Sequence, residues 1–203
     1  MPATKKMLDR SDENIDVVLY YLRKKSKLCS PNEYRFTTVN CLFKTFINEA
    51  YNRYYCSAFD DNLTTQEHMA RGAVVSAIER SIKNIIKGFS IPTGLPWHLV
   101  DEVYIPVNSD GEFHWVLAIV VLKERLIHVY DSSMGTRDSQ TGMLLEPNVT
   151  FKVEFTQDIM QQQCDSLDCG MYVVAYAEYL SDGIPVSKIG FRLDYLRTRY
   201  RAL

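Results

Sequence analysis

At 203 residues, with 46% hydrophobic and 24% charged side chains and a formal net charge of -2, the chain has the make-up of one folded domain with a sizeable core. Near-neutral charge gives no reason to expect binding to nucleic acid or to an acidic membrane surface, and no apolar stretch reaches bilayer-spanning length. Five scattered cysteines (Cys29, Cys41, Cys56, Cys164, Cys169), with no CxxC pair and no histidine at ligand spacing, exclude a disulfide framework and a zinc site, so no metal or other cofactor is expected.

Met1 to Lys6 lacks the features of a secretory signal, which with free thiols points to a reducing, intracellular setting, nucleus or cytoplasm. Residues 1–203 are read as a single domain, mainly helical over 1–100 and carrying a sheet and a further helix over 101–203. Met1 to Arg10 is polar and is expected to fray. Ser11-Asp12-Glu13-Asn14 reads as an N-cap region, after which Ile15, Val18, Leu19 and Leu22 share a helical face that ends in the basic cluster Arg23 to Lys27. That cluster and Arg197 to Arg201 are expected to be solvated helix ends.

Leu28 to Thr38 reads as a loop punctuated by Pro31, followed by a second helix whose apolar positions are Leu42, Phe43, Phe46, Ile47 and Ala50. Asn52 to Asn62 looks like a connection. From Thr64 or Thr65 a third helix carries Met69, Ala73, Val74, Ala77, Ile78, Ile82, Ile85 and Ile86 and stops at Gly88, beyond which Pro92, Gly94 and Pro96 break regular structure.

The period then changes. Glu102 to Val107 is a strand closed by the turn cluster Asn108 to Gly111, and Trp115 to Leu122, almost wholly apolar, has the make-up of a strand buried on both faces. Leu126 to Tyr130 is its hairpin partner across Lys123-Glu124-Arg125. Ser132 to Glu146 is turn-like and unassigned, Val149 to Phe155 is another strand, Cys169 to Leu180 a helix, and Ile189 to Arg201 a last helix.

The chemistry gathers around QQQCDSLDCG, Gln161 to Gly170. A cysteine at a helix start meets unpaired backbone N–H groups and a partial positive charge, both of which stabilise a thiolate. The alternative is a small buried residue opening a core helix.

The hairpin supplies partners for Cys169. His114 stands before its first strand and Asp131 after its second, and paired residues should have numbers summing to roughly 248, so the two meet at the open end of the ladder, where facing Cβ atoms lie about 4.5 to 5.5 Å apart. His68, His98 and His128 have no acidic partner placed by local structure in this way. A His, an Asp and a Cys in that order suit acyl transfer, with Cys169 attacking a carbonyl, His114 taking its proton or pairing with it as an ion, and Asp131 orienting the imidazole. An amide from Gln161, Gln162 or Gln163 could donate to the oxyanion, and spacing does not choose among them.

The phrases HW at His114-Trp115, VYDSS at Val129 to Ser133, IPVN at Ile105 to Asn108 and Q-x5-C-G from Gln163 to Gly170 resemble the ubiquitin-like-protein-specific cysteine proteases, the ULP/SENP group, and particularly their divergent plant members. The likeness is best over Asp101 to Gly183, and Ser11 to Lys25 is similar to the opening helix of the plant members. It implies an α+β, papain-like fold with helices packed on a mainly antiparallel sheet and the nucleophile at a helix N-terminus. It implies catalytic His114, Asp131 and Cys169, an oxyanion contact from Gln163, and Trp115 flanking a groove for a Gly-Gly tail, although Trp115 reads equally as a packed core aromatic.

The activity so implied is cleavage after the C-terminal Gly-Gly of a ubiquitin-like modifier, SUMO foremost, by a monomer whose partners are the modifier and its conjugates. Two features depart from the family pattern. No tryptophan occurs in Lys5 to Ser11, as though the chain begins past that position, and the step from Asp131 to Cys169 is short, as in a trimmed domain or a truncated gene model. They leave room for two alternatives, a protease-derived module that binds without cutting and an acyltransferase built on the same triad.

Overall fold

The computed structural model describes residues 3–28, 35–56, 65–108, 114–133, 151–163, 166–187, 192–200 and 202. In chain order these form α1 (Ala3–Leu28), β1 (Phe36–Thr38), α2 (Leu42–Cys56), α3 (Thr65–Ile86), β2 (Glu102–Asn108), β3 (Trp115–Val121), β4 (Leu126–Tyr130), β5 (Lys152–Phe155), α4 (Cys169–Ser181) and α5 (Leu193–Tyr200), with a 3-10 turn at Trp97–Leu99. Pro31, the segment 134–150, Cys164 and residues 188–191 lie outside the described residues. Among the described residues no helix is long and apolar enough to cross a membrane, and no cluster of histidine, cysteine or carboxylate side chains could hold a metal ion.

The five strands lie in sequence order, β1-β2-β3-β4-β5. The sheet is mainly antiparallel, as expected, through its centre β2-β3-β4, while at its two edges β1 runs parallel to β2 and β5 parallel to β4. The chain reaches the parallel edge β1-β2 through the helical crossover α2-α3, as a parallel pairing requires. Phe36, Thr37 and Thr38, read as loop, make up β1; three residues are too few to display an alternation, yet all three are buried.

Side-chain alternation divides the sheet between two apolar layers. Trp115, Leu117 and Ile119 of β3 and Tyr104 of β2 face α1, α4 and α5, where they meet Ile15, Leu19, Leu22, Val173 and Tyr176. Val120, Val103 and Ile105 face the opposite way, toward Phe43 and Phe46 of α2 and Ile82 and Ile85 of α3. The stripe on α2 is narrower than its pattern suggests, since Leu42 and Ile47 are exposed, as are Val74 and Ile86 on α3. Gly88 ends α3 with φ +78°, a conformation glycine accepts readily, and a Cβ there would lie 2.8 Å from the nitrogen of Pro96.

Three expectations about the helices are revised. α1 begins at Ala3 rather than after Ser11, because Thr4 to Asp12 contains neither Gly nor Pro and is rich in lysine, methionine, leucine and arginine, all good helix formers. α2 continues to Cys56, past the start of the expected connection. Arg23 is no solvated helix end: 3% exposed, it donates to Pro92 O at 3.1 Å and to Thr38 Oγ1 at 2.5 Å, and burial lowers its pKa to about 10, which leaves it charged at neutral pH. Cys41 is buried just before α2, its backbone N–H donating to Asp16 Oδ1 at 2.8 Å; burial, then the charge of Asp16, pushes its thiol far up.

Candidate active site

The hairpin sets one side of the site. β3 and β4 pair from Leu117↔Tyr130 to Val121↔Leu126, close to the expected sum, so the ladder opens where His114 precedes β3 and Asp131 follows β4. There His114 Nε2 lies 2.6 Å from Asp131 Oδ1, and both side chains are largely enclosed. The same carboxylate oxygen accepts the Ser133 backbone N–H and the Ser133 hydroxyl, each at 2.8 Å. The first of these is an Asx-type turn, a local bond that fixes the carboxylate before any tertiary contact is made.

These bonds decide the protonation of the pair. Burial alone would push the Asp131 carboxyl up, but the bonds from His114 and Ser133 outweigh it and hold the group below the ordinary range. An ionised carboxylate only accepts, so Nε2 carries a proton toward Asp131 and Nδ1 is the ring nitrogen left to exchange one. Asp131, and then a hydrogen-bond contact with the Cys169 sulfur, raise His114 to about 9 against the opposing effect of burial, so the ring is an imidazolium at neutral pH.

Cys169 is the first residue of α4 and is buried. The Asp168 carbonyl accepts from Met171 N at 2.8 Å and Tyr172 N at 3.1 Å, closing the first turn around it. Three elements hold that helix end in place. Ile15 of α1 packs on Gly170, where a Cβ would sit 3.4 Å from Ile15 Cδ1. The Tyr172 hydroxyl donates to Gln161 O at 3.0 Å, and the Tyr176 hydroxyl donates to Met160 O, so α4 pins the glutamine stretch. Gln162 N in turn donates to Ser132 O at 2.8 Å, tying that stretch to the Asp131 loop.

The residues expected from sequence are thus brought together in part by direct contact: His114 bonds both Asp131 and Cys169. Gln163 lies on the surface just before the turn that its carbonyl makes with Ser166 N at 3.1 Å, with its side chain exposed, whereas Gln162 is half-buried. Trp115 is 4% exposed and packs in the layer that contains Cys169 and Tyr172, which matches its reading as a core aromatic. Of the other histidines, His98 is exposed in the 3-10 turn, and His128 does have an acidic neighbour, Glu154 at 3.9 Å across β4 and β5, on the outer part of the sheet.

The hydroxyls of Ser133, Tyr172 and Tyr176 were not singled out by the sequence. For Ser133 a signal existed, a serine two places after an aspartate; for the tyrosines none did, because their acceptors are backbone carbonyls.

Comparison with known proteins covers the same region. Residues 76–203, more than half of the chain and including His114, Asp131, Gln163 and Cys169, match the Ulp1 protease family, C-terminal catalytic domain. Ubiquitin-like-specific protease 1A of Arabidopsis thaliana is 26% identical over 121 residues, 52% of this chain and 24% of that protein. Ubiquitin-like-specific protease ESD4 of the same plant is 24% identical over 114 residues, 49% of this chain and 22% of that protein, so the chain spans about a quarter of these relatives.

Among solved structures, the Ulp1-like SUMO protease catalytic domain of Chaetomium thermophilum superposes with a TM-score of 0.55 at 15% identity, over 94% of this chain and 68% of that one. The SUMO protease Ulp1 with its catalytic cysteine oxidized to a sulfenic acid gives 0.54 at 19% identity, over 94% and 73%. The C-terminal Ulp1 protease domain in complex with Smt3, the yeast ortholog of SUMO, gives 0.50 at 19%, over 91% and 72%. At these identities the structural likeness speaks for the α+β, papain-like fold, while the family match rests on sequence, and on it this chain belongs to the Ulp1 protease family.

Proposed function

We propose that the chain is a thiol protease that cleaves after the C-terminal Gly-Gly of a SUMO-like modifier, releasing it from conjugates or precursors. The observation that carries the reading is one imidazole bonded at 2.6 Å to Asp131 and also in contact with the sulfur of the first residue of α4. Membership of the Ulp1 family supports the substrate class, as does the seating of Smt3 on the related Ulp1 domain.

In this mechanism the Cys169 thiolate attacks the terminal glycine carbonyl, forming a C–S bond as the carbonyl electrons move onto oxygen. The positive end of α4 and the exposed amide of Gln163 stabilise that oxyanion. Collapse breaks the C–N bond, and the departing amine takes the proton of the His114 imidazolium. His114, now neutral, accepts a proton from water as the water attacks the thioester, releasing the modifier's carboxylate and restoring the imidazolium–thiolate pair. Asp131 holds the ring and stabilises its charged form throughout. Trp115, directly after His114, supports the groove wall from within the core.

A vinyl-sulfone probe built on the SUMO tail tests this reading. The wild-type chain should be labelled on Cys169 and the Cys169→Ala variant should not; labelling that survives the substitution, or a wild type that neither reacts with the probe nor cleaves a SUMO precursor, would reject it.

A further inference from the structure

The carboxylate next to the proposed nucleophile leaves the start of α4 uncapped. Asp168 occupies the N-cap of α4, where an aspartate ordinarily bends its side chain onto the N–H groups of the first turn. Here the side chain makes no such bond, and the main-chain carbonyl alone serves the turn. Asp168 Oδ2 accepts the Ser166 hydroxyl at 2.6 Å, and Oδ1 accepts Arg197 Nη2 from α5 at 2.5 Å. α5 is fastened to deliver that arginine: Leu196 beside it is buried in the core, and on the far part of α4 Glu178 pairs with Arg199 and accepts the Tyr200 hydroxyl at 2.5 Å. Arg197 and Arg199 are therefore engaged with α4, not merely solvated as the basic run suggests.

The arrangement matters because the start of α4 has one positive end to offer. A neighbouring carboxylate swung onto it would satisfy the same N–H groups that serve a thiolate and an oxyanion, and would add a like charge beside both. We propose that Arg197 is a positioning residue for the nucleophile: with Ser166 it holds the Asp168 carboxylate off the start of α4, leaving that helix end to the Cys169 sulfur and the oxyanion formed on it. The inference deepens the protease reading and rests on Cys169 being the nucleophile.

Among the described residues, the titratable groups around this end of α4 are His114 with Asp131 from the hairpin, Tyr172 on α4 itself, and Asp168 with Arg197. α1 presents the apolar Ile15 there and turns Asp16 to Cys41.

The test follows iodoacetamide alkylation of Cys169 against pH, read on the peptide that carries it, for the wild type, R197A, R197K, D168N and the double variant R197A/D168N, with probe labelling in parallel. In R197A the pH of half-maximal alkylation should rise by about half a unit to one unit, and probe labelling should slow about tenfold, the scale of a charge placed on a helix terminus. R197K should recover most of both. On the D168N background R197A should have no further effect on the profile, because the carboxylate to be restrained is gone.

A profile for R197A that superimposes on the wild type, or an equal displacement on the D168N background, would overturn the proposal. If circular dichroism shows R197A unfolded, D168N decides: its half-maximal pH should lie at or below that of the wild type, and an upward displacement overturns the proposal. Alkylation needs no substrate, so a wild type without SUMO cleavage would sink the protease reading while leaving these differences measurable.

Discussion

The two sides of the candidate site are placed by different means. His114 and Asp131 are seventeen residues apart and meet because one hairpin in one register brings its open ends together, with Ser133 adding a bond that spans two residues. Cys169 follows a local bond between Ser166 and Asp168 but depends on more distant elements as well. Its helix is held by Ile15 from α1, by tyrosine bonds to Met160 and Gln161, and by Arg197 from α5 acting on Asp168. The proposed base side is thus a property of a local element, the proposed nucleophile side a property of the assembled layer, and perturbations of the two should differ in kind.

The largest effect belongs to the base side. Asp131→Asn removes the charge that stabilises the imidazolium and frees the ring to adopt the other tautomer, so turnover of a SUMO precursor should fall by roughly 10² to 10⁴ while the fold persists. A fall of less than about threefold would show that Asp131 does not orient His114. Far-ultraviolet circular dichroism of the variant should match the wild type, since the hairpin register is set by the ladder.

The wild-type pH profile sharpens the same point. His114 has its pKa raised to about 9 by Asp131 and by Cys169. A raised folded-state pKa contributes stability that is complete below the ordinary value of about 6.5 and fades as pH climbs through about 9. Asp131 is held low, so its contribution is present above the ordinary carboxylate range and is lost as pH falls through its depressed value. Turnover, which needs the imidazolium proton for the leaving amine, should therefore decline as pH rises through about 9, whereas alkylation of Cys169, which needs no such proton, should not. Parallel decline of both would place the limiting ionisation elsewhere.

The smallest effects should come from the nucleophile side, where several contacts share the work. Tyr172→Phe and Tyr176→Phe each remove one hydroxyl donor to the glutamine stretch, and each should cost about 1 kcal/mol of stability in urea unfolding. Both should slow probe labelling several-fold through Gln163, with little displacement of the alkaline limb. A displaced limb would mean that the tyrosines act on His114.

That division also governs what could be read from the sequence. The long hairpin, the pairing of His114 with Asp131 and the start of α4 at Cys169 follow from apolar runs, a turn cluster and short offsets, all visible within windows of about twenty residues. β1 escaped because three residues carry no period, and the parallel edges escaped because strand direction there depends on where α2 and α3 return the chain. The burial of Arg23 and the pairing of Arg197 are not legible because composition shows a basic run but not the Pro92 carbonyl and Thr38 hydroxyl that Arg23 meets, or the Asp168 carboxylate that Arg197 meets. Among the three consecutive glutamines, physical spacing left the choice open, and the family pattern selected Gln163.

Cys41 gives the same polypeptide a second buried thiol. Burial and Asp16 push it away from ionisation, so it yields the reactive thiolate chiefly when the contacts between α1 and the start of α2 come apart. Modified by one reagent in one tube, Cys169 would report the chemistry of the site and Cys41 the frequency with which the native state opens. The molecule thereby carries its own clock, against which any loss of reactivity at Cys169 can be assigned to the site or to the fold.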